Sequence, residues 1–428
     1  MKNNFPYFKI LKTLAKSVLK KYRPLVIGIT GSVGKTSTKE AIYTVLRSNF
    51  KARENLKNYN NEVGVPLTIL GSETGGRSIF KWFKVFTRGL SLIIKKDPDY
   101  PEMLILEMGA DKKGDIEYLV KFVPCDIGVV TAVGEVHFEF FGSLENIIAE
   151  KRKIITHLKE SHIAVLNADD RNVMGMRTLT KAKVITFGFS EEADFRATDV
   201  RLSQKDDDVG TSFKLHAQGN VLPVFLHNAL GKGQVKAALT AIAVASALKV
   251  NLLETIEGLS KYKAPPGRTN LIKGIKNSLL IDDSYNSSPL SAKAALDILD
   301  EVQIEPGAKR IAVFGEMLEL GSYTETGHQE VGQKAAEISV DMLVCVGEKT
   351  RDIIRGAVKS GLSEDKTFYF DNNHDAGVFV QNKIHPDDLI LIKGSQGARM
   401  EQIVKELMAE PLKAGELLVR QDEEWLER

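Results

Sequence analysis

The sequence predicts a mixed α/β protein with a mostly parallel sheet in its front half and a second α/β unit behind it. Two observations carry this: short apolar runs ending in polar residues recur along the chain, and stretches of helical spacing lie between them. A third divides the chain. Ala264-Pro265-Pro266-Gly267-Arg268 interrupts the alternation, because paired prolines followed by glycine continue neither a helix nor a strand ladder. At 428 residues the chain also exceeds the size that one core usually serves. The expected parts are a basic helical segment over 1–24, a central unit over 25–264 and a C-terminal unit over 265–428.

The elements follow in order. The first segment holds Lys2, Lys9, Lys12, Lys16, Lys20, Lys21 and Arg23 with no acid and no continuous apolar core, which excludes a signal peptide and a spanning helix. Leu25 to Ile29 reads as a buried strand, and Thr36 to Arg47 as a helix with Ala41, Ile42, Val45 and Leu46 on one side. Residues 79–94 form an amphipathic insertion, with Ile79, Trp82, Phe83, Phe86, Leu90 and Ile93 on one face and Lys81, Lys84 and Arg88 on another. An interfacial membrane helix has this composition, and so does a helix covering a core. Strands are expected at Met103 to Leu106, Ile127 to Val130, Ile163 to Leu166 and Val184 to Phe187. After Asp194 the alternating segments Thr211 to His216 and Val221 to Leu226 predict an antiparallel patch, followed by an Ala-rich helix from Val235 to Leu248. Beyond the break, strands are expected at Leu279 to Ile281, Arg310 to Phe314, Met342 to Val346 and Leu389 to Ile392.

Charge and cysteine usage bound the function. The formal charge is +2 and no lobe carries a long basic stripe, which argues against a nucleic-acid partner. Cys125 and Cys345 stand far apart without a C-x-x-C partner, so neither a disulfide nor a zinc knuckle is expected and a reducing cytoplasm fits.

The chemistry begins in GITGSVGKTS, Gly28 to Ser37. A strict G-x-x-x-x-G-K-[ST] loop would place glycine where this chain has Ile29, yet strand, glycine turn and helix follow in the order a phosphate loop needs. Gly31, Ser32, Val33 and Gly34 leave backbone N–H groups free to converge on phosphate oxygens, and the helix opening at Lys35, Thr36 and Ser37 adds positive potential. Lys35 suits the β- and γ-phosphates, and the Thr36 hydroxyl suits Mg2+. The front unit therefore reads as a central P-loop ATPase domain, and the rear one as Rossmann-like. Glu107 closes an expected strand at the carboxyl edge of the sheet, within reach of a metal held by Thr36; a solvated strand-end acid is the plain alternative. His137 follows another strand and is a metal-ligand candidate, although a lone histidine is more often structural. Lys151, taken alone, is simplest as a surface lysine.

Taken together, GITGSVGKTS, NYNNEVGVPLTIL (Asn58 to Leu70), LILEMGA, HFEFFGS, AEKRKI and LNADD (Leu166 to Asp170) resemble the Mur ligases, ATP-dependent amide-bond formers of peptidoglycan synthesis. The resemblance continues through PPGR, DDSYNSSPLSAKAALDIL, VFGEMLELG and LIKGSQG, nearly the whole chain in order. It is strongest to the branch that adds D-alanyl-D-alanine to a UDP-muramoyl tripeptide. The folylpolyglutamate synthases share the loop variant, but NYNNEVGVP and DDSYNSSP argue against them; a non-catalytic nucleotide-binding scaffold is the reading from another class.

The resemblance implies ATP and Mg2+ as cofactors, with Lys35 and the loop amides on the γ-phosphate and Thr36 and Glu107 on the first magnesium. His137 would bind a second magnesium, and a carbamylated Lys151 would help position it. Arg268, Asp283 and Asn286 are expected near the nucleotide, and Asn60, Asn61, Tyr285, Lys393 and Ser395 near the substrate. Where the family usually reads G-R-H-N-x-x-N this chain has Gly231-Lys232-Gly233-Gln234, so Gln234 is expected to replace an adenine-side asparagine. The family also implies a front domain that grips the UDP-sugar, where only the basic segment precedes Leu25 here. Another surface, a partner, or a different substrate is expected to answer for it, and the basic segment with residues 79–94 suggests a cytoplasmic enzyme working at the inner membrane face.

Overall fold

The computed structural model describes residues 6–55, 59–76, 78–134, 138–205, 208–422 and 425. Its strands form two sheets. The first contains β1 (Leu25–Thr30), β2 (Ala52–Glu54), β3 (Met103–Glu107), β4 (Ile127–Val130), β5 (Ile163–Asn167), β6 (Lys183–Gly188), β7 (Phe195–Lys205), β8 (Asp208–Ala217) and β9 (Asn220–His227). Their spatial order is β2-β3-β1-β4-β5-β6-β7-β8-β9. Every pairing from β2 to β7 is parallel, and β7, β8 and β9 pair antiparallel. The second sheet contains β10 (Asn270–Lys273), β11 (Leu279–Asp283), β12 (Arg310–Gly315), β13 (Met342–Val346), β14 (Thr367–Phe370) and β15 (Leu389–Lys393), in the order β10-β11-β15-β12-β13-β14. Only the β10–β11 pair is antiparallel.

The central strands form because both their faces are covered. Ile27 and Ile29 of β1 join one core with the helix Lys232–Ala247, while Val26 joins another on the opposite face. Alanine and other small residues along Lys232–Ala247 let it lie close against α2 (Lys35–Leu46). Because β1, β3, β4 and β5 run parallel, Thr30, Glu107, Val130 and Asn167 all end at one sheet edge, where ligands of such sheets collect.

Four strands were absent from the sequence expectation. β2, β10 and β14 are only three or four residues long. β7, FRATDVRLSQK, is broken by a register shift between Thr198 and Arg201 that spoils its two-residue period.

The basic segment folds as α1 (Pro6–Tyr22) and is part of the first core, to which it contributes Leu11, Leu14, Ala15 and Val18. It lies along α4 (Ile79–Ile94): the Tyr7 ring stacks 6.4 Å from Trp82, and Lys21 donates to the carbonyls of Leu92 and Ile93 at 2.8 and 2.9 Å. The expected single apolar face of α4 divides in two. Val85, Gly89 and Leu92 are buried with Trp82, Phe86 and Ile93 half-buried beside them, whereas Ile79, Phe83 and Leu90 face solvent. The buried stripe contains Gly89, where an added Cβ would come within 3.0 Å of Leu14, so glycine there lets α1 and α4 pack closely. Among the described residues no helix is long and apolar enough to cross a membrane.

Candidate active site

A cavity of about 910 Å³ lies between the carboxyl edges of the two sheets. One wall is the loop after β1. Gly34 opens α2 at φ +84°, a conformation costly for any residue with a Cβ. A Cβ on Gly31 would come within 2.0 Å of Thr131 Oγ1. That approach is used: Thr131 donates to the Val33 carbonyl at 2.6 Å, Ser32 N donates to the Ala132 carbonyl at 2.7 Å, and Ser32 Oγ donates to the Gly134 carbonyl at 2.9 Å. The short G-S-V-G turn is thereby braced on the end of β4.

Lys35 curls back over this turn, its Nζ 2.8 Å from the Gly31 carbonyl and 3.4 Å from that of Ser32. Removal from water lowers its pKa, and Arg268 adds to this, against the raising influence of Glu107 and Asp111. Glu107, at the end of β3, is buried; its Oε2 accepts from Thr36 Oγ1 and its Oε1 from Asn60 Nδ2, both at 3.0 Å. Burial pushes its carboxyl up, but Lys35, the Asn60 hydrogen bond, Lys39 and Arg268 outweigh that and hold it below its ordinary value. The result is an ionised acid beside a threonine hydroxyl, an all-oxygen pair of the kind a hard cation takes.

The paired asparagines separate in space. Asn60 orients Glu107, whereas Asn61 Oδ1 accepts from the amides of Val63 and Gly64 at 3.2 and 3.0 Å, fixing the entry to the helix Gly64–Leu70. Asn61 does not line the cavity. Lys151 ends the helix Leu144–Lys151 with only 2% of its surface exposed, so it is not the surface lysine its sequence neighbours suggest. Among the described residues no hydrogen bond or ion pair holds its ammonium, and the adjacent Glu150 is committed to the amides of Gly114 and Ile116. Burial, with the charge of Lys35, lowers the Lys151 pKa to about 7. His137 lies outside the described residues.

The opposite wall comes from the second sheet. Arg268 stacks over Tyr285, 4.0 Å from its ring centre, and among the described residues its buried Nε has no hydrogen-bond partner. Lys393 Nζ reaches Asp283 Oδ2 at 2.5 Å and the Asn286 carbonyl at 2.9 Å. Ser395 Oγ donates to the Ser287 carbonyl at 3.3 Å and accepts from Leu318 N at 2.9 Å. Lys393 and Ser395 thus line the cavity while fastening the loop that carries Asp283, Tyr285 and Asn286. Gln234 also lines it, but its amide is engaged on both sides: Nε2 donates to the Arg268 carbonyl and Thr269 Oγ1, and Oε1 accepts from Tyr262.

Several contributors were not expected. Thr131 was visible as the polar residue ending an apolar run, and Asp169, paired at 3.0 Å with Lys236, lies in LNADD. Arg420 had no local signal: its Nη2 donates to the Ser284 carbonyl at 2.6 Å and to Glu401 at 2.8 Å, joining residues 136 positions apart.

Residues 29–80 and 87–245 match the family described as Mur ligase middle domain, and 267–396 match the Mur ligase, glutamate ligase domain. The UDP-N-acetylmuramoyl-tripeptide–D-alanyl-D-alanine ligase of Bacillus subtilis (strain 168) is 32% identical over 402 residues, 94% of this chain and 80% of that protein. The chain belongs to the Mur ligase family. The ligase of the same name from Escherichia coli (strain K12) is 31% identical over 388 residues, 89% of this chain and 76% of its own length. Among solved Mur ligases, MurF from Thermotoga maritima in complex with ADP superposes with a TM-score of 0.77 at 27% identity, over 93% of this chain and 83% of that one.

Proposed function

We propose that this Mur ligase forms an amide bond at the expense of ATP, adding D-alanyl-D-alanine to a UDP-N-acetylmuramoyl tripeptide in peptidoglycan synthesis. The observation that carries the proposal is the cavity itself. Lys35 and Glu107, the latter accepting from Thr36 just behind it, stand on one wall, with Arg268, Tyr285 and Asn286 on the other. The similar proteins named above supply the identity of the two substrates.

A carboxylate does not react with an amine at neutral pH. Transfer of the γ-phosphoryl group of ATP to the tripeptide's terminal carboxylate leaves ADP and an acyl phosphate. The dipeptide's amine then adds to the acyl carbon, phosphate departs with the C–O bond electrons, and the amine loses its proton. Both steps concentrate negative charge that fixed cations stabilise. Lys35 and the amides of the Gly31–Gly34 turn, continuing to Thr36 and Ser37, hold the phosphates. The unpartnered Nε of Arg268 suits the same anion from the far wall, with Asp283 and Asn286 on the nucleotide side. Tyr285, braced by Arg268, shapes the substrate side.

The donor set of Thr36 hydroxyl and ionised Glu107 fits Mg2+, which when bound neutralises phosphate charge. Asn60 positions Glu107 for it, and His137 and Lys151 would serve a second magnesium. An amine with pKa about 7, buried and unpaired, captures CO2 as a carbamate with release of one proton, becoming an anionic ligand. Residues 25–264 and 265–428 then act as two bodies that close on ATP about the 264–268 segment. Gln234 contributes by holding the carbonyl of Arg268.

Two measurements test this reading. Phosphate release from ATP with UDP-muramoyl tripeptide should depend on D-alanyl-D-alanine, with the ligated product seen by mass spectrometry. Dipeptide-independent turnover overturns the substrate assignment, and absence of any turnover favours a non-catalytic scaffold. For Lys151, stripping bicarbonate is expected to lower kcat about 10- to 100-fold, with recovery on its return. The loss should deepen below pH 7, where the lysine is protonated and cannot take up CO2. Lys151→Arg should be slow and indifferent to bicarbonate.

A further inference from the structure

The face formed by α1 and α4 has a composition that the cavity chemistry does not use. On α4, Ile79 is 74% exposed, Phe80 88%, Phe83 67%, Leu90 49% and Ile94 76%. At 100° per residue, Ile79, Phe83, Leu90 and Ile94 fall within one narrow stripe, next to the stripe that packs on the core. Trp82 and Phe86 lie at the boundary between the two stripes, and both stack with Tyr7 of α1. The two helices run side by side in the same direction, since Tyr7 meets Trp82, Leu14 meets Gly89, and Lys21 meets Leu92.

Cations flank this stripe on both sides. Lys81 and Lys84 are exposed along the far side of α4, and Lys9, Lys16 and Lys20 along the outer side of α1. Neither helix contains an acidic residue. Arg88 of α4 is neutralised by Asp97 at 2.8 Å, whereas among the described residues no carboxylate pairs with Lys9, Lys16, Lys20, Lys81 or Lys84. A surface of this kind presents a stripe of bulky exposed apolar side chains with lysines on either side. It is complementary to an anionic sheet with an apolar interior.

We infer that α1 and α4 dock this enzyme on an anionic lipid bilayer, with Phe80, Phe83 and Ile94 entering the headgroup–acyl boundary and the lysines resting among the lipid phosphates. α4 is 16 residues long, about 24 Å, so it lies along the surface and does not cross it. Neither half of the interaction suffices alone: the apolar ridge supplies depth, and the cations supply attraction that salt screens.

The full-length protein is tested by flotation with vesicles of phosphatidylglycerol and phosphatidylcholine mixed equally, and with phosphatidylcholine alone. Wild type should float with the anionic vesicles, at least tenfold less with the neutral ones, and at least fivefold less on raising salt from 0.05 to 0.5 M by the screening argument. The Phe80→Ser/Phe83→Ser variant, altered only at exposed positions, should lose flotation by about tenfold while keeping its thermal melt and its ATP turnover in solution. Failure of wild type to float on anionic vesicles overturns the inference, as does a variant that floats as well as wild type. Salt-insensitive self-association without lipid, abolished by the same substitutions, would assign the face to a second copy of the chain and overturn it equally.

Discussion

Lys35→Ala is expected to reduce ATP turnover by roughly 10²- to 10³-fold, about 2.7–4 kcal/mol of transition-state stabilisation, without lowering the thermal melting temperature. The rate effect follows from position. Lys35 is held over the Gly31–Gly34 turn by two backbone carbonyls, and among the described residues no carboxylate forms an ion pair with it. A half-buried cation that lines the cavity and rests against carbonyl dipoles is arranged for an anion that arrives later. The stability argument has the opposite sign. The lowered pKa means that the folded state disfavours the charged lysine, and relief of that cost offsets the loss of its two carbonyl hydrogen bonds and of its attraction to Glu107. Phosphate-release kinetics and a thermal melt on one preparation check both parts; turnover undiminished in the variant would sink the mechanism.

Lys393→Met should have the largest effect on stability, about 3–5 kcal/mol, read as a shift of the denaturant midpoint. Lys393 is 1% exposed and its ammonium holds both Asp283 and the Asn286 carbonyl. Its removal leaves Asp283 buried and unpaired, next to Asp282, whose own carboxyl burial already pushes up to about 6. Adding Asp283→Asn to Lys393→Met should recover much of that loss, because Asp283 no longer stands as an unpaired buried charge, while the rate stays low because the tie from Lys393 to Asn286 is gone. If Lys393 served only to contact substrate, the single variant would lose rate with its denaturant midpoint unchanged. That outcome would refute the fastening role.

Much of the candidate site was legible in the chain because its chemistry is local. The Gly31–Gly34 turn, Lys35 and Thr36 are contiguous, and Glu107 and Asp283 stand at the ends of apolar runs. What could not be read was division of labour among polar neighbours. Asn60 and Asn61 are adjacent, yet one orients an acid and the other caps a helix, because the chain turns between them. Lys393 and Ser395 look like substrate contacts and also tie down a loop more than 100 residues earlier. Arg420 carried no signal at all, since its partners, two backbone carbonyls and Glu401, come together only after β11 and its loop have formed.

The amino-acid sequence alone determined the alternation of strand and helix and the glycine turn between β1 and α2, since each depends on local periodicity, on glycine geometry, or on contiguous residues. Tertiary structure decided which stripe of α4 meets the core, that Lys151 is buried with its pKa lowered to about 7, and that Gln234 holds Arg268. Those outcomes depend on distance between segments remote in sequence and on exclusion of water, and neither quantity exists until the sheets have packed.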